Sequence, residues 1–95
     1  MIGDDLAVKR LAELGHETRL AIFRLLVKGS QHGLSVGDIQ SHLDIPGSTL
    51  SHHISRLVAA GLVEQTRDGR TLYCRARMES LDELMAFLTS ECCTL

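Results

Sequence analysis

Residues 34–61 have the sequence LSVGDIQSHLDIPGSTLSHHISRLVAAG, which contains two short helical patterns separated by a turn. The first pattern begins with a capping-box pair, Ser35 and Asp38, and then repeats apolar residues at helical spacing. Pro46 disfavours helical geometry at the residue before it and can itself open the next helix. The second pattern repeats apolar residues until Gly61 ends it. Together these features predict a helix-turn-helix.

The face of the second helix opposite its apolar stripe is small and hydroxyl-rich, and it carries histidine and arginine. Side chains of this kind can reach phosphates and base edges in the major groove of DNA. A solvated helix face that binds nothing has the same composition, so the face alone does not decide between the two. If the helix binds DNA, the contacting residues are expected to be Ser48, Thr49, Ser51, His52, His53 and Arg56, of which His52 and Arg56 are expected to contribute to sequence readout.

Two strand patterns, over residues 62–67 and 70–75, flank Asp68-Gly69. This dipeptide is a strong hairpin signal, because both of its residues can adopt positive φ. Arg67 and Arg70 would then lie on either side of an exposed tip, where they could contact the DNA backbone or the minor groove. A helix-turn-helix followed by a hairpin is the order of a winged helix-turn-helix, a mainly α fold with a β-hairpin wing (α+β).

The length of 95 residues allows one domain. We assign residues 1–95 to it, with the helix-turn-helix at 34–61, the wing at 62–77 and dimerisation helices at 1–14 and 78–93. Helices are expected over Asp4–Leu14, Glu17–Lys28 and Glu79–Cys93, and residues 29–33 have the composition of a loop.

The last helix carries a narrow apolar seam, which is typical of a dimerisation face. Packing onto its own domain is the alternative, and the two are compatible. A domain this short buries a modest fraction of its surface, so a homodimer would add burial. The interface is expected to contain Leu6, Leu11, Leu81, Leu84, Met85 and Leu88.

The net charge of −2 is unevenly distributed. Residues 48–77 contain five arginines against two acids, whereas residues 78–95 contain four acids and no base. This split indicates that the middle of the chain faces phosphate and the C-terminal segment does not. No apolar run approaches the roughly 18 residues of a membrane span, and no export signal is visible, so we expect a cytoplasmic protein with no membrane partner.

Four segments, ETRLAIFRLL, LSVGDI, STLSHHISRLVAAGLV and RDGRTLYC, resemble the ArsR/SmtB family of small metalloregulatory repressors. The resemblance runs from about Leu11 to the C-terminus. It implies a homodimeric winged-helix repressor of a pseudo-palindromic operator in double-stranded DNA. Such a repressor leaves the operator when it binds a metal, a metalloid or another thiol-reactive signal.

The resemblance also limits where a ligand could bind. The family's zinc-type site in the last helix uses an Asp-x-His pair and a later His, and residues 78–95 contain no histidine. The family's arsenic-type motif, C-V-C-D-L, corresponds here to residues 35–39, which have the sequence SVGDI and therefore lack both thiols. Zinc sensing and thiolate sensing at those two positions are not expected.

Three cysteines remain, and their odd number argues against a disulfide framework. In the register set by Asp68-Gly69, Cys74 pairs with Val63 and is buried, which makes it a secondary candidate ligand. Cys92 and Cys93 are the primary candidates, because thiolates favour soft ions. Some arsenic-responsive family members likewise keep cysteines at the end of the last helix.

We therefore expect a repressor of a metalloid-resistance operon with trivalent arsenic or antimony, inorganic or organic, as inducer and with no permanently bound cofactor. One alternative is a repressor of the same fold that senses thiol oxidation or persulfides. Another is a winged-helix protein-interaction module that binds no DNA. For the vicinal cysteines themselves, the alternative to a ligand site is a frayed C-terminus with thiols that have no function. No catalytic constellation is apparent, so an enzyme is not expected.

Overall fold

The computed structural model describes residues 1–29 and 31–95, so that Ser30 of the predicted loop lies outside the described residues. Over the described residues the chain forms five helices and a three-stranded antiparallel sheet with strand order β1-β3-β2. The elements are α1 (Asp4–Leu14), α2 (Glu17–Lys28), β1 (Leu34–Ser35), α3 (Val36–Leu43), α4 (Gly47–Ala59), β2 (Val63–Asp68), β3 (Thr71–Ala76) and α5 (Met78–Thr89).

The first two helices have the bounds that the sequence predicts. His16 provides the N-cap of α2, since its Nδ1 accepts a hydrogen bond from the backbone N–H of Thr18 at 3.1 Å. Ile22, Phe23 and Leu26 of α2 are buried in the core. Because α2 contributes to the core along most of its length and contacts both α3 and α4, it holds the two helices of the helix-turn-helix in place.

The helix-turn-helix consists of α3 and α4. Ser35 caps α3, its Oγ accepting a hydrogen bond from the backbone N–H of Asp38 at 3.0 Å, as the capping signal predicts. Asp44 ends α3 in the left-handed conformation with φ of 52°, which a short polar side chain tolerates. Pro46 occupies the N-cap position of α4. The turn is therefore built by one left-handed residue and one proline.

The third strand was not predicted, since β1 has only two residues and carries no readable periodicity. It extends the wing into a three-stranded sheet by pairing Leu34 with Cys74 and Ser35 with Tyr73. Gly33, just before it, has φ of +87°, and a Cβ there would collide with the carbonyl oxygen of Cys74. The sheet thus requires a glycine at the entry to β1.

The register predicted for the hairpin was wrong by one position in the turn. Asp68 pairs with Thr71, so the two-residue loop is Gly69-Arg70, with φ of 64° at the glycine. Moving the turn by one residue moves each pairing by two, so Cys74 opposes Gln65 instead of Val63. A shift of two preserves which side chains face the core. The predicted burial of Cys74 is accordingly confirmed.

The last helix ends earlier than predicted, at Thr89 instead of Cys93. Two hydroxyl groups compete with backbone N–H groups for the last carbonyls of the helix. Thr89 Oγ1 donates to the Met85 carbonyl at 3.0 Å, and Ser90 Oγ donates to the Phe87 carbonyl at 2.7 Å. Beyond them Glu91 and Cys93 both have positive φ. The vicinal cysteines therefore lie in a turn after α5.

The interface predicted along α5 needs one correction. Leu84 is only 3% exposed in a single chain, because it packs inside its own domain, and it cannot belong to a dimer seam. Met85 and Leu88, in contrast, are each 56% exposed, and Leu11 of α1 is exposed as well. Leu6 and Leu81 are partly buried. The apolar surface of α5 available to a partner is thus a narrow strip centred on Met85 and Leu88.

Among the described residues, no helix combines the length and the apolar composition needed to cross a membrane.

Candidate nucleic-acid interface

The outer face of α4 is the first part of the candidate interface. Ile54 and Leu57 fix the helix on the core. Because the helical repeat turns the intervening residues outward, most of the predicted DNA-contacting side chains are exposed. They are Ser48, Thr49, Ser51, His52 and Arg56. The first three lie in the first turns of the helix, where the positive end of the helix dipole favours phosphate.

His53 does not belong to this face, and its assignment to DNA contact is corrected. The side chain is buried, with 8% of its surface exposed, and its ring lies 4.8 Å from that of His16. Arg19 Nη1 lies 3.2 Å from His53 Nδ1. Because a guanidinium can only donate, His53 Nδ1 must accept, which places the proton of the neutral ring on Nε2.

The electrostatic surroundings of His53 disfavour its charged form. Burial lowers the pKa of His53, and the neighbouring His16 and Arg19 lower it further. A proton on Nδ1 would replace the accepted hydrogen bond with two donors facing each other. His53 is therefore a packing residue that joins α4 to α2. The sequence could not distinguish it from His52, because the two residues are adjacent and are both histidines.

Glu13 of α1 is a residue that sequence reasoning missed. Its carboxylate is buried and accepts hydrogen bonds from Arg56 of α4, with Nη2 to Oε1 at 2.7 Å and Nε to Oε2 at 2.9 Å. Arg19 Nε lies 3.1 Å from Glu13 Oε2. The hydrogen bond from Arg56 lowers the pKa of Glu13 more than burial raises it. No local motif marks Glu13, because Arg56, which donates its side-chain hydrogen bonds, lies 43 positions away along the chain.

The tip of the wing is the second part of the candidate interface. Arg67 and Arg70 are exposed there and form no salt bridge with any residue that the structure describes. Arg75, in contrast, pairs with Glu64 at 3.0 Å, and Arg77 pairs with Glu79 at 3.1 Å. The positive charge that remains available on the wing is therefore concentrated at its tip.

The three cysteines have two different environments. Cys74 is fully buried, and burial raises the pKa of its thiol. Cys92 and Cys93 are exposed, and interaction with the neighbouring Cys93 thiol raises the pKa of Cys92. Within residues 1–29 and 31–95, no group of three or more His, Cys, Asp or Glu side chains is arranged to hold a metal ion. The structure does not bring Cys74 together with the C-terminal pair as one ligand set.

Comparison with known proteins agrees with this geometry. A helix-turn-helix domain family matches residues 14–66. The putative arsenical resistance operon repressor ArsR of Halobacterium salinarum is 39% identical over 61 residues, which are 63% of this chain and 46% of that protein. The uncharacterised HTH-type transcriptional regulator YceK of Bacillus subtilis is 35% identical, and the match covers 81% of this chain and 76% of YceK.

A solved structure extends the match to the whole fold. It is the homodimeric winged helix-turn-helix DNA-binding domain of Mb0332 from Mycobacterium bovis, described as a possible ArsR-family transcriptional regulator. The TM-score is 0.74 at 28% identity, with 90% of this chain and 76% of that chain covered. This chain belongs to the ArsR family. ArsR-family winged helix-turn-helix proteins are DNA-binding transcriptional regulators, not enzymes, and they often form homodimers.

Membership in the ArsR family gives α4 the position of a recognition helix and the β2-β3 hairpin that of the wing. In winged helix-turn-helix proteins the recognition helix enters the major groove and its N-terminal residues contact base edges. The exposed residues at the start of α4 and the exposed arginines of the wing tip lie at these two positions. The family leaves the inducer of this chain open.

Proposed function

We propose that the chain is a homodimeric repressor that binds a pseudo-palindromic duplex, with α4 in the major groove and the wing tip on the backbone. The observation that carries this proposal is the division of polar groups on one surface. Hydroxyls and His52 lie exposed on α4, and on the wing Arg67 and Arg70 form no salt bridge with the residues that the structure describes. The first set suits base edges, and the second suits phosphates.

A two-fold dimer would place two copies of α4 about 34 Å apart, one turn of the DNA helix. The exposed strip of Met85 and Leu88 on α5, together with Leu11 on α1, supplies the apolar surface for that dimer. The structurally similar Mb0332 domain is itself homodimeric.

Two substitutions test the division of roles on the DNA-facing surface. An operator is first selected from a random duplex library, and affinity is measured by fluorescence anisotropy at several salt concentrations. Arg70→Ala should weaken all duplexes similarly and flatten the salt slope by about one unit for each phosphate that is no longer neutralised. His52→Ala should instead reduce the ratio of operator to random-duplex affinity. The opposite pattern would exchange the two roles, and a wild type that selects no duplex would leave a protein-interaction module as the function.

The inducer is the finer part of the proposal: trivalent arsenic or antimony binds Cys92 and Cys93. Both thiols are exposed and interact with each other, and α5 ends before them, so the 100° separation of adjacent helical side chains does not apply. With arsenous acid, two As–S bonds form and two As–O bonds break. Each thiol proton leaves with a hydroxide as water, and no oxidant is needed. The remaining arsenic valence holds a hydroxide or an organic substituent.

Release of DNA would follow from the position of the two thiols. They lie directly after the exposed strip of α5, so a ligand that bridges them changes the conformation of the chain beside the dimer seam. A changed seam tilts one subunit against the other and moves the two copies of α4 off their common spacing. The inducer thereby binds the free and the DNA-bound dimer with different affinity, which any allosteric release requires.

The test measures operator binding against arsenite for wild type, Cys92→Ser and Cys93→Ser, with Cys74→Ser as the matched control. Both C-terminal variants should bind DNA and ignore arsenite, whereas Cys74→Ser should still be released. Dissociation of both C-terminal variants at the wild-type arsenite concentration would refute the site. A parallel titration with peroxide tests the thiol-redox alternative.

A further inference from the structure

A cleft of about 280 Å³ lies between α1 and the recognition helix α4. Two helices line it: Lys9 and Glu13 come from α1, and His52, Ser55, Arg56 and Ala59 come from α4. We propose that this cleft binds a phosphate of the operator backbone, with Arg56 as its main ligand and buried Glu13 as the residue that positions Arg56. The inference deepens the proposed function and rests on it.

The pairing with Glu13 fixes the orientation of the Arg56 guanidinium. Glu13 engages Nε and Nη2 side-on through two oxygens, a geometry that holds the planar group in one position. Nη1 makes no hydrogen bond with any residue that the structure describes, and the side chain is half exposed. A donor edge is thus presented to an incoming ligand without further ordering of the side chain.

The charges around the cleft leave an excess of positive charge. Glu13 is shared by two arginines, Arg56 and Arg19, so the buried cluster carries one positive charge more than it can neutralise. Lys9 adds a second, and its charge is close enough to lower the pKa of Glu13. Lys9 forms no salt bridge with the described residues. The lining offers no other carboxylate, so an anion fits the cleft electrostatically.

The place of Arg56 along α4 favours a phosphate over a base as its ligand. Arg56 lies in the last turn of the helix, whereas recognition helices contact base edges mainly with their N-terminal residues. The sequence alone favoured base readout by Arg56, because it showed only that the residue shares a face with His52. The pairing with α1 gives Arg56 a fixed position at the rim of the helix-turn-helix.

Lys9→Gln is the main test, because Lys9 is exposed and its replacement leaves the buried cluster intact. Each subunit should then present one cation fewer to the bound phosphate, and at about one unit per lost charge the slope of log K against log[salt] should flatten by about two units for the dimer. Lys28→Gln, on the exposed end of α2 and outside this cleft, is the matched control and should leave the slope unchanged. Equal slopes for the two variants would overturn the inference, while binding of the operator by wild type would keep the proposed function intact.

A double-mutant cycle separates positioning from a merely structural role of Glu13. Releasing Arg56 with Glu13→Gln should weaken operator binding by a factor of roughly 2–10 per half-site, the cost of ordering a free arginine side chain. In an Arg56→Ala background, the same replacement should have almost no effect on affinity. An equal loss in both backgrounds would show that Glu13 acts only through the fold, and would overturn its positioning role.

Inorganic phosphate, titrated at constant ionic strength and followed by NMR, distinguishes a free anion from the operator backbone. We expect no saturable shift of the Lys9 and Arg56 side-chain signals at millimolar phosphate. A saturable shift together with an unchanged salt slope in Lys9→Gln would assign the cleft to a free anion and overturn the assignment to DNA.

Discussion

Replacing Leu84 with alanine should destabilise the fold without weakening the dimer. The side chain is 3% exposed within a single chain, so its removal leaves a cavity in the domain itself. Truncation of a buried leucine costs about 2–5 kcal/mol of unfolding free energy. At about 3 kcal/mol, and with roughly 4–8 °C per kcal/mol for a domain of this size, Tm should fall by roughly 12–24 °C.

The control is Leu88→Ala, one helical turn away and 56% exposed. Urea unfolding is measured for both variants at two protein concentrations, because dimer unfolding depends on concentration by mass action. Leu84→Ala should lower the midpoint and keep the wild-type concentration dependence. Leu88→Ala should change mainly that dependence, since a weaker dimer contributes less at low concentration. Equal midpoint losses for the two variants at both concentrations would refute the assignment of the two faces of α5.

Three further outcomes are expected. Gly33→Ala should unfold the β1–β3 pairing, because its φ is +87° and the added Cβ collides with a carbonyl; a large loss of thermal stability by circular dichroism checks this, and wild-type stability would contradict it. The free energy of unfolding should fall as pH is lowered from about 6.5, the ordinary histidine pKa, through the lowered pKa of His53, because the unfolded state then binds more protons. Urea titrations should show a flatter dependence of the unfolding free energy on pH in His53→Asn. An unchanged dependence there would exclude His53 as the cause. Ellman's reagent should label the two C-terminal thiols rapidly and Cys74 only on unfolding, and rapid labelling of all three would contradict its burial.

The fold could be predicted largely because its signals are local. The capping pair Ser35 and Asp38 and the turn before α4 are encoded within a few residues, and the structure confirms both. The hairpin was predicted with its turn one residue early, since Asp68-Gly69 and Gly69-Arg70 both place a glycine where positive φ is needed. Strand β1 was not predicted, because its two residues are too few to show the alternation of apolar and polar side chains that marks a strand.

The parts of the candidate interface that the sequence did not predict depend on contacts between residues far apart in the chain. Glu13 pairs with Arg56 across 43 positions of the chain, and no sequence pattern links them. His53 and Leu84 were assigned to an exposed face for a related reason. The helical spacing of each residue is compatible with the exposed face as well as with the buried face. Periodicity identifies a stripe, but the packing of α1 and α2 decides which edge of that stripe is covered.

Native mass spectrometry of the protein–operator complex during an arsenite titration follows the release of DNA and the binding of arsenic in the same spectrum. We expect two chains on one duplex before arsenite is added. As arsenite is added, free duplex should appear together with protein dimers that carry one arsenic per chain, bound through Cys92 and Cys93. Complexes that keep the duplex while fully loaded with arsenic, or dimers that leave it without arsenic, would show that arsenic bound at Cys92 and Cys93 does not release the DNA.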